Sequence, residues 1–322
     1  MQLSSDSGGD PAALVARLVA RLVAATQALA GDDPGARFGI AVSGGPDSMA
    51  LLHLAATAFP GRVAAVTVDH RLRAASTDEA AMVAQWCAAR GIGHATLIPD
   101  EAPRGNVQAW ARAMRYRLIE AWRGAQGIDW IMTAHHADDQ AETLLMRLNR
   151  GSGVAGLAGV RARSGRVIRP LLDVRKGALQ AVADAVALPH VHDPSNADPR
   201  FDRAALRMAL IDAPWLDVAA AARSAAALAE AEAAIGWSVD ALAQAHVRAD
   251  GAGWRLARTD LPREYLRRLL LHMLARGGGA PPRGEALDRA IAAAVAGRQA
   301  SLGDWLLRGG TQWTLQPAPP RR

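Results

Sequence analysis

The segment Phe38-Gly39-Ile40-Ala41-Val42-Ser43-Gly44-Gly45-Pro46-Asp47-Ser48 joins a short apolar run to a glycine turn. A second apolar run, with helical period, follows over residues 49–59. The first run has the pattern of a buried strand, so the segment reads as strand, loop, helix. Glycines at 44 and 45 let the backbone approach a ligand closely, and the hydroxyls of Ser43 and Ser48 can donate hydrogen bonds. Backbone amides at the positive end of a helix favour a bound phosphate. The loop is not a Walker A motif, which needs a lysine over the β and γ phosphates, because the only lysine is Lys176. Nor does it fit the GxGxxG pattern of dinucleotide binders. An ordinary strand-to-helix turn is the bland alternative.

Outward from this segment the unit repeats. Residues 63–68 read as a second strand, 78–90 as a helix, 94–98 as a third strand, 106–123 as a long helix and 130–134 as a fourth strand. Strands alternating with helices of this length predict an α/β fold with a doubly wound parallel sheet and ligands at the carboxyl ends of its strands. Upstream, Asp10-Pro11 followed by Leu14, Leu18 and Leu22 predicts a capped amphipathic helix. Downstream, residues 219–245 turn alanine-rich, which predicts a connecting helix. The expected organisation is a catalytic domain over 1–215, a connecting helix over 216–246 and a small accessory domain over 247–322, with strand-like pieces around Trp254 and Trp313.

A chain of 322 residues, 50% apolar, is long enough for this plan. Its net charge of +6 and isoelectric point near 10.7 permit a polyanionic partner. Residues 147–176 hold eight basic side chains against the single acid Asp173, and 253–322 hold twelve arginines against five acids. Either run could track RNA phosphates or be solvated surface. The single cysteine, Cys87, excludes an intramolecular disulfide, a CxxC zinc knuckle and a cysteine-ligated cluster from this chain alone, and its helical setting favours a buried structural thiol. The start lacks a basic region, and Arg17 and Arg21 interrupt the apolar stretch that follows. A soluble cytoplasmic protein without membrane attachment is therefore expected.

Beyond the loop, chemistry-bearing residues gather in four segments: Val68-Asp69-His70-Arg71-Leu72-Arg73; Asn106 with Arg112, Arg115 and Tyr116; His135-His136-Ala137-Asp138-Asp139-Gln140-Ala141-Glu142-Thr143; and Arg169-Pro170-Leu171-Leu172 with His192-Asp193-Pro194-Ser195-Asn196 and Arg203. A spacing of four would put His135 and Asp139 on one helical face, as it would Asp138 and Glu142. The competing reading makes Asp138 and Asp139 first-turn caps of a helix. Arg112 with Arg115, and Arg203 with Arg207, form pairs suited to phosphate or to a solvated face. His70 and Arg73 are candidates for nucleotide contact, with a structural role for His70 equally open. Zinc is the weakest option, because no HExxH or cysteine set completes a site.

In this order the segments resemble the PP-loop ATP pyrophosphatases and, within them, the tRNA(Ile)-lysidine synthase family, over residues 35–210, while the last hundred residues match only loosely. Members of that family differ in how much C-terminal domain they carry, and this chain looks like a short version. The resemblance implies that ATP is cut between its α and β phosphates, with Mg2+ near Asp47. A cytidine in the CAU anticodon of an isoleucine tRNA is adenylated, and free lysine then displaces AMP. It implies catalytic roles for Asp47, His135, Asp139 and Arg115. Nucleotide contacts would come from Ser43, Gly44, Gly45, Pro46, Asp47, Ser48 and His70, and substrate contacts from Arg112, Arg115, Asp139, Arg203 and Arg207. The oligomeric state stays open, a homodimer being one option. Three rivals remain: a tRNA thiolase, which one cysteine disfavours, a PP-loop amide synthetase on a small molecule, and a nucleotide-binding RNA module without catalysis.

Overall fold

The computed structural model describes residues 10–71, 76–103, 105–191, 202–211, 213–280, 282 and 284–319. The chain divides into two compact units at Ala229/Glu230. The boundary lies inside helix α9 (Val218–His246), which covers the expected connecting helix.

The first unit begins with α1 (Pro11–Ala30). Asp10 caps it, its Oδ1 accepting from Ala12 N at 3.0 Å, and Pro11 supplies the preset φ of the first turn. Then come β1 (Phe38–Ala41), α2 (Pro46–Ala58), β2 (Val63–Val68), α3 (Ser76–Ala88), β3 (Gly93–Leu97), α4 (Val107–Ala125), β4 (Trp130–Met132) and α5 (Ala137–Asn149). The short α6 (Val154–Leu157), the two-residue strands β5 (Arg163–Ser164) and β6 (Val167–Ile168), α7 (Lys176–Ala185) and α8 (Asp202–Ile211) complete it. The sheet order is β3-β2-β1-β4-β6-β5. Pairing is parallel from β3 to β6, and β5 closes the edge antiparallel through a hairpin. That hairpin departs from the expected all-parallel sheet, since two-residue strands are too short to leave a period in the sequence.

Period-two alternation divides the sheet's side chains between two cores. Phe38, Ile40, Ala65, Trp130 and Met132 join a cluster with Leu22, Met49, Leu52, Trp86, Leu179 and Val182. The intervening Val66 and Ile131 pack with Ile119 and Ile128. Helices α1, α2, α3 and α7 therefore cover one face and α4 the other, which is the doubly wound plan. Gly39 sits where the second face is tightest. A Cβ there would come within 2.7 Å of Trp122 and of Ile131, so the close approach of α4 requires glycine.

By length and composition α1 could cross a membrane, despite Arg17 and Arg21. In the fold it buries Leu18, Leu22 and Thr26 against the core, and Arg21 pairs with Asp173 at 2.6 Å. Cys87 is fully buried, and burial pushes its thiol up to about 11, as suits a packing residue.

The second unit continues from α9 through β7 (Val247–Asp250), β8 (Gly253–Leu256), α10 (Arg263–Arg276), α11 (Gly284–Val295), β9 (Gln299–Leu302), β10 (Trp305–Arg308) and β11 (Trp313–Pro317). Its five-stranded antiparallel sheet, β7-β8-β11-β10-β9, packs Leu256, Leu307, Trp313 and Leu315 against Leu269, Leu270, Met273 and Ile291. The strand-like pieces around Trp254 and Trp313 are thus strands of one sheet.

Leu22→Ala should lower the free energy of unfolding by about 2–5 kcal/mol, because it opens a cavity under α1. Arg21→Ala, which breaks a solvated pair, should cost less than about 1 kcal/mol. Urea titration of the two variants compares the costs; equal losses would mean that α1 is held by charge and not by packing.

Candidate active site

The register of β1 against β4 pairs Phe38 with Trp130, Gly39 with Ile131 and Ile40 with Met132, so the loops leaving the two strands emerge side by side at their carboxyl ends. In the loop after β1, Ser48 Oγ donates to Gly45 O at 2.9 Å and accepts from Ser43 N at 3.2 Å. The two hydroxyls approach to 3.3 Å. Gly44 adopts φ +81°, a conformation that favours glycine, and its carbonyl accepts from Val191 N at 3.0 Å. Gly45 has ordinary φ and caps α2 without a side-chain hydrogen bond. A Cβ on Gly45 would meet nothing closer than Ser43 Oγ at 3.8 Å, so the packing of the protein does not demand glycine there. The space above Gly45 is open to a Cβ. Helix α2 starts at Pro46, earlier than its apolar period suggests, which brings Asp47 into the first turn.

After β4, Thr133 Oγ1 lies 2.9 Å from His135 Nδ1. Helix α5 begins only at Ala137, with His136 as its N-cap, so His135 precedes the helix and the expected helical-face spacing with Asp139 does not apply. The two residues nonetheless act on each other electrostatically: the Asp139 charge raises the proton affinity of His135, and the ring in turn helps lower the Asp139 carboxyl. Burial outweighs Asp139 at His135. Together with the charges of Arg169, Arg112 and Arg203 it takes the imidazole down to about 4, leaving it neutral. Burial alone would raise Asp139, but His136, Arg203 and His135 outweigh it and hold the carboxyl below its ordinary value.

His136 and Asp139 form a reciprocal capping box. Asp139 N donates to His136 Nδ1 at 3.3 Å and His136 N donates to Asp139 Oδ2 at 3.1 Å. Asp139 is therefore both a cap and a member of the charged cluster. Asp138 does something else: it accepts from Lys176 N at 2.7 Å and contacts Arg175 at 3.3 Å, capping α7 from outside. Glu142, 5% exposed, binds Arg203 Nε at 2.6 Å and Arg207 Nε at 2.5 Å. Asp138 and Glu142 thus serve different partners and do not share a site. Arg203 also reaches Asp139 Oδ1 at 3.0 Å and Arg207 lies 3.6 Å from it, so α8 delivers both arginines to α5.

On α4, Arg112 stacks on Tyr116, 5.2 Å from its ring centre, and its field acts on His135, whereas that of Arg115 acts on His70. The pair serves two ends of the site. Arg115 keeps solvent-accessible surface, yet enough protein surrounds it that desolvation lowers its proton affinity, a combination expected on the wall of a cleft. His70 packs edge-on to Trp110, and both of its ring nitrogens are buried without a hydrogen-bond partner among the described residues. Burial and Arg115 lower its pKa, against the pull of Asp69. Asp69 itself accepts from Arg71 N at 2.8 Å, Ser76 Oγ at 2.6 Å and Thr77 Oγ1 at 3.0 Å, which fixes the turn after β2. Arg73 and residues 192–196 lie outside the described residues.

Arg169, which opens the segment Arg169-Pro170-Leu171-Leu172 and also belongs to the basic run 147–176, is only 5% exposed, donating to Arg161 O at 2.7 Å and Tyr116 Oη at 3.3 Å, with Nε unbonded among the described residues. The run is not uniform surface: Arg163 and Arg166 stack on Trp130, Arg150 pairs with Asp202 and Arg175 with Asp138. No group of three or more His, Cys, Asp or Glu side chains among the described residues is arranged to hold a metal. An ion bound here must take most of its ligands from substrate, as magnesium does with phosphates. Asp47 Oδ1, buried without a partner among the described residues, fits such an ion.

A histidine neutral in the fold, with an ordinary value of 6.5 when unfolded, lets the unfolded chain bind the extra proton. His135 therefore costs nothing above about pH 6.5 and removes stability as pH falls from there towards 4. His135→Gln should flatten the acid limb of the stability curve by at most about 1.4 kcal/mol per pH unit. Nitrogen-15 spectra should show His135 neutral at pH 5.5, and a midpoint near 6.5 would contradict the burial argument.

A family model described as a PP-loop domain matches residues 18–214. The chain is 43% identical over 302 residues to a protein named tRNA(Ile)-lysidine synthase from Novosphingobium aromaticivorans, covering 90% of this chain and 91% of that one. It is 41% identical over 297 residues to the protein of the same name from Zymomonas mobilis, covering 89% and 90%. These matches are too long to be confined to the motif-bearing residues 35–210. Among solved structures, the U34-tRNA thiolase NcsA from Methanococcus maripaludis with its [4Fe-4S] cluster superposes at TM-score 0.55 with 16% identity, over 68% of this chain and 80% of that one, a likeness of fold alone. Identity of this level across nine-tenths of both chains, with the phosphate loop and charged cluster at one sheet edge, shows that the chain belongs to the tRNA(Ile)-lysidine synthase family, the ATP-dependent ligases built on a PP-loop domain.

Proposed function

We propose that this chain joins the ε-amine of free lysine to C2 of the wobble cytidine in the CAU anticodon of tRNA(Ile), by way of an adenylated cytidine, in the cytoplasm. The observation that carries this reading is the β1–β4 pairing, which sets the glycine loop of residues 43–48 beside a carboxylate among arginines. Cytidine O2 attacks the α-phosphorus of ATP, an O2–P bond forms and pyrophosphate leaves. The lysine nitrogen then attacks C2, the C2–O2 bond breaks and AMP leaves with O2.

In the first step the amides of Gly44, Gly45, Asp47 and Ser48 and the hydroxyls of Ser43 and Ser48 hold the phosphates, while Arg115 and the neutral His70 line the nucleotide side and Arg112 acts at the His135 end. Their contribution is positioning and fixed positive charge. Magnesium held through Asp47 would neutralise charge on the phosphates when bound. In the second step Asp139 receives the lysine ammonium. His135, neutral and oriented through Thr133, offers a lone pair to the proton that the amine must lose, and an anionic adenylate beside it raises its proton affinity. Arg203 and Arg207, braced by Glu142, receive the adenylate phosphate. Exposed Arg147 and Arg150, at the end of α5, are suited to phosphates of the anticodon stem. A thiolase reading would need a reactive thiol or cluster, and the buried Cys87 supplies neither.

Purified protein, ATP, magnesium and labelled lysine should label a tRNA(Ile) transcript bearing CAU and release AMP with pyrophosphate. A folded preparation that leaves the tRNA unlabelled overturns the reading. Asp139→Asn keeps a cap acceptor but loses the charge, so lysine incorporation should fall by about 10²-fold or more while tRNA-dependent pyrophosphate release continues. Gly45→Ala should raise the KM for ATP by about tenfold, worth roughly 1.4 kcal/mol, without moving the melting temperature.

A further inference from the structure

Among the described histidines His136 alone is buried, 3% exposed, and its two edges face different elements. Nδ1 accepts the Asp139 amide at 3.3 Å and so caps α5. Nε2 lies 3.6 Å from Asp47 Oδ2 on α2 and 3.6 Å from Asp139 Oδ2. At that length the approach to Asp47 is electrostatic contact and not a formed hydrogen bond. The third carboxylate nearby, Asp138, lies 3.8 Å from Nδ1 and is committed to the start of α7 through Lys176 N and Arg175. The other oxygen of Asp47, Oδ1, is buried with no hydrogen-bond partner among the described residues. A helix cap needs only an acceptor, which a short polar side chain supplies as well. A ring at this position does one thing more: it reaches across from the β4 edge of the site to the phosphate-loop helix.

We propose that His136 is a positioning residue for the nucleotide step: its Nε2 edge fixes Asp47 through Oδ2, leaving Oδ1 to the divalent cation that accompanies ATP, while its Nδ1 edge separately caps α5. The inference rests on the ATP-dependent reading above and adds a residue to it. A carboxylate that binds a metal through one oxygen is held by an outer partner on the other, and loss of such a partner weakens metal affinity by about 10- to 100-fold.

His136→Asn and His136→Ser retain a cap acceptor but cannot reach Asp47, whereas His136→Ala loses both functions. Mn2+ binding in the presence of α,β-methylene-ATP, followed through the paramagnetic resonance signal of free Mn2+, is the readout that a capping role does not move. His136→Asn and His136→Ser should melt close to wild type and bind Mn2+ at least about tenfold more weakly. They should also need correspondingly more Mg2+ for tRNA-dependent pyrophosphate release, with the KM for lysine unchanged. His136→Ala should in addition melt at a lower temperature. Wild-type Mn2+ affinity in both cap-preserving variants overturns the proposal and leaves His136 as a cap alone, as does a defect confined to the KM for lysine. Failure of the wild-type protein to modify tRNA would instead count against the proposed function, and the Mn2+ comparison would still decide the role of His136.

Discussion

The three-residue pairing of β1 with β4 is the constraint on which the site depends. Parallel strands point their carboxyl ends the same way, so whatever follows each strand is delivered to the same edge of the sheet. After β1 comes a loop whose conformation requires glycine at 44, and after β4 come Thr133, His135, His136 and the first turn of α5. A slip of one residue in β4 would exchange Trp130 and Met132 with Ile131 between the two cores and move every charged group of α5 relative to the loop. The packing of a bulky residue on one face and a branched one on the other therefore also sets the spacing between phosphate loop and carboxylate.

Within that frame the charges are arranged by competition. Arg203 and Arg207 are each shared between Glu142 and Asp139, and Glu142 takes the shorter contacts. A buried carboxylate stripped of its arginines would carry a desolvation cost of several kcal/mol, so the pairing of α8 with α5 is obligatory once Glu142 is buried. Burial first, and then the charges of Arg169, Arg112 and Arg203, keep His135 neutral although Asp139 pulls the other way. Arg169 adds a positive charge with no carboxylate bonded to it among the described residues, so the edge of the sheet carries more guanidinium than its own carboxylates neutralise. Such an edge attracts anions before any ligand-specific contact forms.

The elements of the first unit from α1 to β4 were legible because they carry a period or a punctuation mark: Asp10-Pro11 before α1, the glycine turn before α2, Asn106 before α4. The glycine loop after β1 was legible as a turn for the same reason, and at Gly44 backbone geometry dictates the residue type. What could not be read was partnership. His135 and Asp139 are four apart, but the helix starts between them, and a histidine N-cap gives no sequence signal of the Ser or Thr kind. Arg169 stood out in the segment Arg169-Pro170-Leu171-Leu172, but its burial did not, because burial is a property of the fold. The β5–β6 hairpin left no trace because two residues cannot establish alternation, and the sheet of the second unit was visible only as tryptophans at 254 and 313.

Two adjacent carboxylates at the start of α5 posed the sharpest ambiguity, since either could cap the helix and either could meet an ammonium ion. Their surroundings separate them. Both oxygens of Asp138 face α7: Oδ2 accepts the Lys176 amide and contacts Arg175 Nε, and Oδ1 contacts Arg175 Nη2. A new cation would have to displace a helix cap to reach it. Asp139 is committed through Oδ2 to the His136 amide, but its Oδ1 holds only Arg203 Nη2 and the more distant Arg207, side chains already satisfied at Glu142. A guanidinium with a second carboxylate to hold can yield one oxygen at little cost, and the capping box keeps that carboxylate in place while it does so. Asp139, and not Asp138, is thus the carboxylate with an oxygen to spare for a new cation, for a reason that lies in α7 and α8 and not in the spacing along α5.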